Sequence, residues 1–203
     1  EESVRQVLAW WSEASPFPPA PPVRRLPEDV SLGSLPPSVG GAASFALEDS
    51  SLDPVGLPDA GTFVVTGPPG SGRTTALQAI IAAVRRARPA RHLALFSPGR
   101  SSLEPMAPWD QSCTDIDRLA GVVGEVTAVV KDAPGGNWLV VIEGIGDLVN
   151  SSADLALQDL VKAARRSGQL VVAEGDTQAM SASWPLQQAL RFSRRGLALQ
   201  PDQ

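Results

Sequence analysis

The sequence predicts an α/β domain in which a parallel central sheet is flanked by helices. Three observations carry this. From Gly61 onward, apolar strand-like runs alternate with amphipathic stretches of about ten residues or more. A glycine-rich segment, Gly67 to Thr75, joins the first strong strand to the first strong helix. Apolar residues make up 43% of the 203 residues against 19% charged, enough for one continuous core without disulfides.

Taken in order, residues 1–22 read as a short helix followed by a linker. Val4, Val7, Leu8 and Trp11 fall along one helical side, and the proline-rich run Pro16 to Pro22 ends it. Residues 23–203 form one domain. Ten of the 19 prolines precede residue 60, so its front section is expected to wrap as extended segments and turns, with short edge strands at Val30–Leu35 and Ala43–Leu47. Five strands follow: Thr62–Thr66, His92–Phe96, Trp138–Ile142, Leu170–Ala173 and Leu197–Leu199. The helices between them carry Leu77, Ile80, Ile81 and Val84, then Ile116 to Val130 after a capping pair Thr114/Asp117, then Leu157 to Ala164.

Composition excludes several functions. One cysteine, Cys113, and one histidine, His92, leave no disulfide, zinc centre or histidine-dependent triad to build. The formal net charge of −5, with 17 basic against 22 acidic residues, opposes nucleic-acid clamping by this domain alone. No run of about 18 apolar residues reads as a membrane span. The start at Glu1 and the stop just after an apolar run suggest a domain cut from a longer protein.

The segment Gly67-Pro68-Pro69-Gly70-Ser71-Gly72-Arg73-Thr74-Thr75 has the spacing of a phosphate-binding P-loop. Its glycines free backbone N–H groups to face an anion, the following helix adds positive charge at its N-terminus, and the Thr74 hydroxyl is placed to hold Mg2+. The nucleotide-binding residues are therefore Gly67, Gly70, Ser71, Gly72, Arg73, Thr74 and Thr75. The usual lysine is replaced by Arg73, whose planar fork is bulkier than an ammonium group, so ATP and Mg2+ are expected to bind weakly.

Two further motifs also depart. An apolar strand before Glu143 should end in a magnesium-binding aspartate and a water-activating glutamate, but Leu139 to Gly144 supplies one carboxylate. Glu143 serves either as the Mg2+ ligand beside Thr74 or as the catalytic base, and each choice leaves the other part missing. The next strand ends Ala173-Glu174-Gly175, where a γ-phosphate-sensing polar group belongs, and an acid there repels phosphate. Arg194-Arg195 reads as a solvated helix end before it reads as an arginine finger. The five tryptophans read as core or contact residues, and Cys113 as inert.

These residues, with Leu26-Pro27 through Leu35-Pro36, Leu52-Asp53-Pro54-Val55 and the closing Arg194 to Asp202, resemble an FtsK/SpoIIIE-type P-loop ATPase domain. The nearest likeness is to the C-terminal ATPase domains of the EccC family of type VII secretion. The resemblance implies a RecA-like fold and a cytoplasmic domain of a membrane-associated, multi-domain protein. It also implies neighbouring ATPase domains in the same chain, hexameric assembly, and recognition of an export substrate's C-terminal signal peptide. The broken motifs point to a regulatory or substrate-recognising module with weak or no hydrolysis. The alternative is a competent motor subunit of a hexameric DNA translocase whose site is completed in trans.

Overall fold

The computed structural model describes residues 2–14 and 25–200. The proline run 16–22 and the closing 201–203 lie outside them. Helix α1 spans Glu2–Ala14, and the side chains of residues 2–11 are all exposed, Trp10 and Trp11 included. Three short antiparallel strands follow, β1 (Ser38–Val39), β2 (Ala42–Leu47) and β3 (Pro54–Leu57).

Next come β4 (Gly61–Thr66), α2 (Arg73–Ala87), β5 (His92–Phe96), β6 (Gln111–Cys113), α3 (Ile116–Asp132) and β7 (Trp138–Ile142). The chain continues through α4 (Ile145–Leu148), α5 (Asp154–Arg166), β8 (Leu170–Gly175), α6 (Thr177–Ser181), α7 (Pro185–Arg191) and β9 (Gly196–Ala198). Six of these strands form an all-parallel sheet in the order β6-β5-β7-β8-β4-β9. The predicted fold class holds.

The strands read as unbroken apolar runs because helices cover both sheet faces. Side chains alternate across the pleat. Val140, Ile142, Val171 and Ala173 face α3, α5 and α7, while Leu139, Val141, Leu170 and Val172 face α2 and the front sheet. The β7 strand is buried at every position. Phe45 of the front sheet meets Phe63 of β4 edge-on at 5.8 Å between ring centroids, which ties the two sheets together.

Three expectations are corrected. The segment Val30–Leu35 is not a strand: Leu32–Ser34 forms a 3₁₀ turn capped by Ser31, whose hydroxyl accepts from Gly33 N. Arg86 of α2 donates to the carbonyl oxygens of Leu32 and Leu35, spending the groups a sheet ladder would have used. Helix α3 is capped by Asp115, which accepts from Asp117 N at 3.1 Å, and not by a Thr114/Asp117 pair. The last strand runs Gly196–Ala198, one residue earlier than Leu197–Leu199, with Leu199 N still donating to Thr66 O at 2.8 Å.

Candidate nucleotide site

Strand order creates the site. Strand β8 lies between β4, which feeds the glycine loop, and β7, which ends at Glu143. In register, Glu174 pairs with Val65, and Ala173 lies between Val64 and Ile142. Glu143 and Glu174 therefore emerge side by side at the C-terminal edge of the sheet, next to the loop. That edge is where open parallel sheets place their ligands.

The loop has the form its glycines predict. Gly70 and Gly72 adopt positive φ of 81° and 94°, and a Cβ added at either would meet nothing within 4 Å, so the loop surface is open. Gly67 is packed instead, with the Ser71 hydroxyl and Leu199 occupying the space a side chain would need. The Ser71 Oγ is buried and finds no hydrogen-bond partner among the described residues. Gly72 caps α2 without a side-chain bond, and the helix has no acid in its first turn. The N–H groups of its first turn are thus left for an anion. Gly70 and Gly72 leave an open loop surface beside Ser71, Thr74 and Thr75, with Gly67 packed at its base, a cradle whose free backbone N–H groups would suit the phosphate groups of ATP.

Arg73 does not complete that cradle. Its Nη1 lies 3.1 Å from Glu174 Oε2, and the two side chains are 22% and 11% exposed. The other carboxylate oxygen of Glu174 accepts from Gly144 N at 2.7 Å. Glu174 thus clamps the first residue of α2 to the turn after β7. The acid expected to repel phosphate instead occupies the loop's own cation.

Glu143 is turned to the other side. Ser101, in the loop after β5, donates its hydroxyl to Glu143 Oε2, and Glu143 N donates to Phe96 O at 2.8 Å. Burial raises its pKa above the ordinary carboxylate value, the Ser101 hydrogen bond opposes this, the Glu174 charge adds to the rise, and Ser97 opposes it again. Thr74 is exposed, whereas Glu143 is only 9% exposed. Mg2+ would be held through Thr74 and Glu143, and the second of these is engaged by serine hydroxyls. Among the described residues no cluster of three or more His, Cys, Asp or Glu side chains could hold a metal on its own.

Sequence pattern alone does not single out Ser97 and Ser101. Their only signal is the serine-rich run Ser97-Pro98-Gly99-Arg100-Ser101-Ser102 immediately after a strong strand. Gly144 adopts a φ of 62°, and a Cβ there would approach Pro98 Cγ at 2.9 Å, so the two loops close on each other where Glu143 is held. Arg194 and Arg195 are exposed in the turn between α7 and β9. Trp138 is buried, Trp109 half-buried, and Trp184 is 51% exposed. Cys113 is buried, and its thiol donates to Asp115 O at 3.4 Å.

No protein-family model and no curated protein matches the chain. Its architecture matches solved ones. The cytoplasmic domain of the type VII secretion ATPase EccC from Thermomonospora curvata superimposes with a TM-score of 0.71 at 20% identity, over 98% of this chain and 26% of that one. A second structure of that EccC, ATPases 2 and 3 in complex with a signal sequence peptide, gives 0.71 at 20% identity over 97% of this chain and 41% of that one. EssC ATPases 2 and 3 from Geobacillus thermodenitrificans give 0.67 at 17% identity over 97% and 42%. The chain therefore spans less than half the length of these structures, and it has the fold of the EccC and EssC ATPase domains.

Proposed function

We propose that the chain is one ATPase-fold module of a multi-domain type VII secretion ATPase, which binds ATP and Mg2+ weakly, hydrolyses ATP poorly, and serves in regulation or substrate recognition. The observation that carries this is the Arg73–Glu174 pair, which engages the only cationic side chain of the loop. Phosphoryl transfer rests on charge neutralisation and positioning, and here the loop cation is paired while the Glu143 carboxyl is held by hydroxyls. The partial coverage of the EccC and EssC chains supports neighbouring ATPase domains in the same polypeptide, and hexameric assembly and a cytoplasmic place beside a membrane are proposed with them on the resemblance alone. A signal peptide bound to EccC supports an export-substrate signal as the partner, and the net charge of −5 argues against DNA.

Calorimetry and turnover with MgATP on the purified domain test this. Turnover should fall far below the ~1 per second at the low end of ordinary enzymes. Arg73→Lys should tighten ATP binding and leave turnover nearly unchanged, because the second carboxylate is still missing. Ordinary turnover by the unaltered domain, or micromolar duplex DNA binding that weakens steeply with salt, would instead make it a motor subunit of a DNA translocase.

A further inference from the structure

The opposite edge of the sheet holds a second cationic crevice. A cavity of about 580 Å³ opens at the N-terminal ends of the strands, lined by Asp59, Arg88, Arg91, Asn137 and the backbone of Gly135, Gly136 and Gly168. That volume lies within the range of small-molecule sites. Its walls come from the turns before β4, β5, β7 and β8, so it shares no residue with the P-loop.

Gln169 ties the crevice walls together. Fully buried, it accepts from Trp138 N at 2.8 Å and donates to the carbonyls of Ala133, Pro134 and Ser167, while Gly136 N donates to Gly168 O at 2.8 Å. The two glycine turns are held back to back, with no side chain between them and the cavity.

The two arginines are under-used. Arg91 is 8% exposed, donates only from Nη2 to Asp59 O at 2.6 Å, and keeps a buried Nε with no partner among the described residues. Arg88 pairs with Asp59 Oδ2 at 2.8 Å and donates to Gly41 O, both through Nη2. The Asp59 carboxylate thus goes to Arg88, and Arg91 reaches only the backbone carbonyl of that residue. Burial pulls the Arg91 pKa down to about 10, with the Asp59 charge opposing and the Arg88 charge adding to the fall. A buried guanidinium with no carboxylate on it among the described residues is costly unless something anionic completes it.

We infer that this crevice is an anion site, in which Arg91 and Arg88 grip a phosphate group, free or carried on a small molecule, against the Gly135–Asn137 and Gly168 turns. Guanidinium forks match phosphate oxygens in geometry and charge, and the glycine turns let the ligand approach the backbone.

Amide NMR of the whole chain titrated with inorganic phosphate tests this, because Gly135, Gly136 and Gly168 report on the crevice while Gly70 and Gly72 report on the P-loop. The three crevice glycines should shift to saturation. Arg88→Gln should weaken that response about 10-fold, the loss of one charge-assisted contact, and leave the P-loop response unchanged. Arg91 is buried, so it is changed to lysine, which keeps the charge, loses the fork and should also weaken binding. A glycerol phosphate titration then separates the sources: a tighter fit than phosphate indicates an ester ligand, an equal fit the free anion. Unsaturable crevice shifts, or saturation that neither substitution alters, would overturn the assignment.

Discussion

The two ends of the one parallel sheet treat arginine in opposite ways. At the C-terminal edge, Arg73 stands where a phosphate-binding cation belongs, yet its charge goes to Glu174 at 3.1 Å. At the N-terminal edge, Arg88 takes the nearby carboxylate of Asp59, while Arg91 reaches only that residue's backbone carbonyl and keeps a buried Nε with no partner among the described residues. Binding capacity depends on the donors left over after the protein has satisfied itself. By that measure the loop with the recognisable motif is poorer in cationic donors than the crevice without one.

The largest effect should come from releasing Arg73. Glu174→Gln removes the carboxylate that neutralises it and leaves an amide oxygen still able to accept from Gly144 N. ATP affinity should rise about 10- to 100-fold by calorimetry, the worth of one charge-assisted phosphate contact together with relief of repulsion. An unchanged affinity would mean that the pair does not restrain the loop, and the contrast between the two edges would lose its basis.

A smaller effect separates the edges by stability. Arg73→Ala strands Glu174, which is 9% exposed and keeps only the Gly144 amide. The cost should be about 1–2 kcal/mol in urea unfolding, discounted for the partial exposure of Arg73. The double change Arg73→Ala with Glu174→Gln should recover much of it, which isolates the pair from its surroundings. At the other edge, Arg88 and Asp59 are each 46% exposed, and Arg88→Ala should cost no more than about 0.5 kcal/mol. Equal losses at the two edges would show that burial does not distinguish them.

The sequence makes legible what local pattern dictates. Strands β4, β5, β7 and β8 stand out because burial on both faces forces continuous apolar runs, and the loop is visible from glycine spacing alone. The two-residue β1 and the three-residue β6 carry too little apolar pattern to register, and α4, α6 and α7 are only four to seven residues long. Val30–Leu35 looks strand-like in hydropathy, but Arg86, far along the chain, takes its carbonyls. The site follows the same division. Arg73, Glu143 and Glu174 are each suspicious on their own, yet their partners depend on strand order. Because β8 enters between β4 and β7, Glu174 meets Arg73; because β5 borders β7, Ser101 meets Glu143. The crevice at the other edge gathers residues from position 59 to position 168, and no local motif announces it.

The smallest effect sharpens the comparison through pH. Glu143 has its pKa raised above the ordinary value of 4.5, by burial first, against the Ser101 hydrogen bond, with the Glu174 charge adding to the rise and Ser97 opposing it. A carboxyl with a raised folded pKa binds its proton more tightly in the folded state. Between the unfolded value and the raised one, the folded chain carries more protons than the unfolded chain, so stability falls as pH climbs through that window. Above the raised pKa both states are ionised, and the penalty stays constant. Glu143→Gln removes this term, so its urea midpoint relative to the unaltered chain should improve as pH rises from about 4.5 and then level off. Glu174→Gln should narrow the same window from its upper end, since it deletes a charge that raises the Glu143 pKa, and Ser101→Ala should widen it. Parallel stability curves for Glu143→Gln and the unaltered chain would mean that Glu143 titrates as an ordinary exposed acid. In that case its carboxylate would be free for Mg2+, and the C-terminal edge would be less self-satisfied than its geometry indicates.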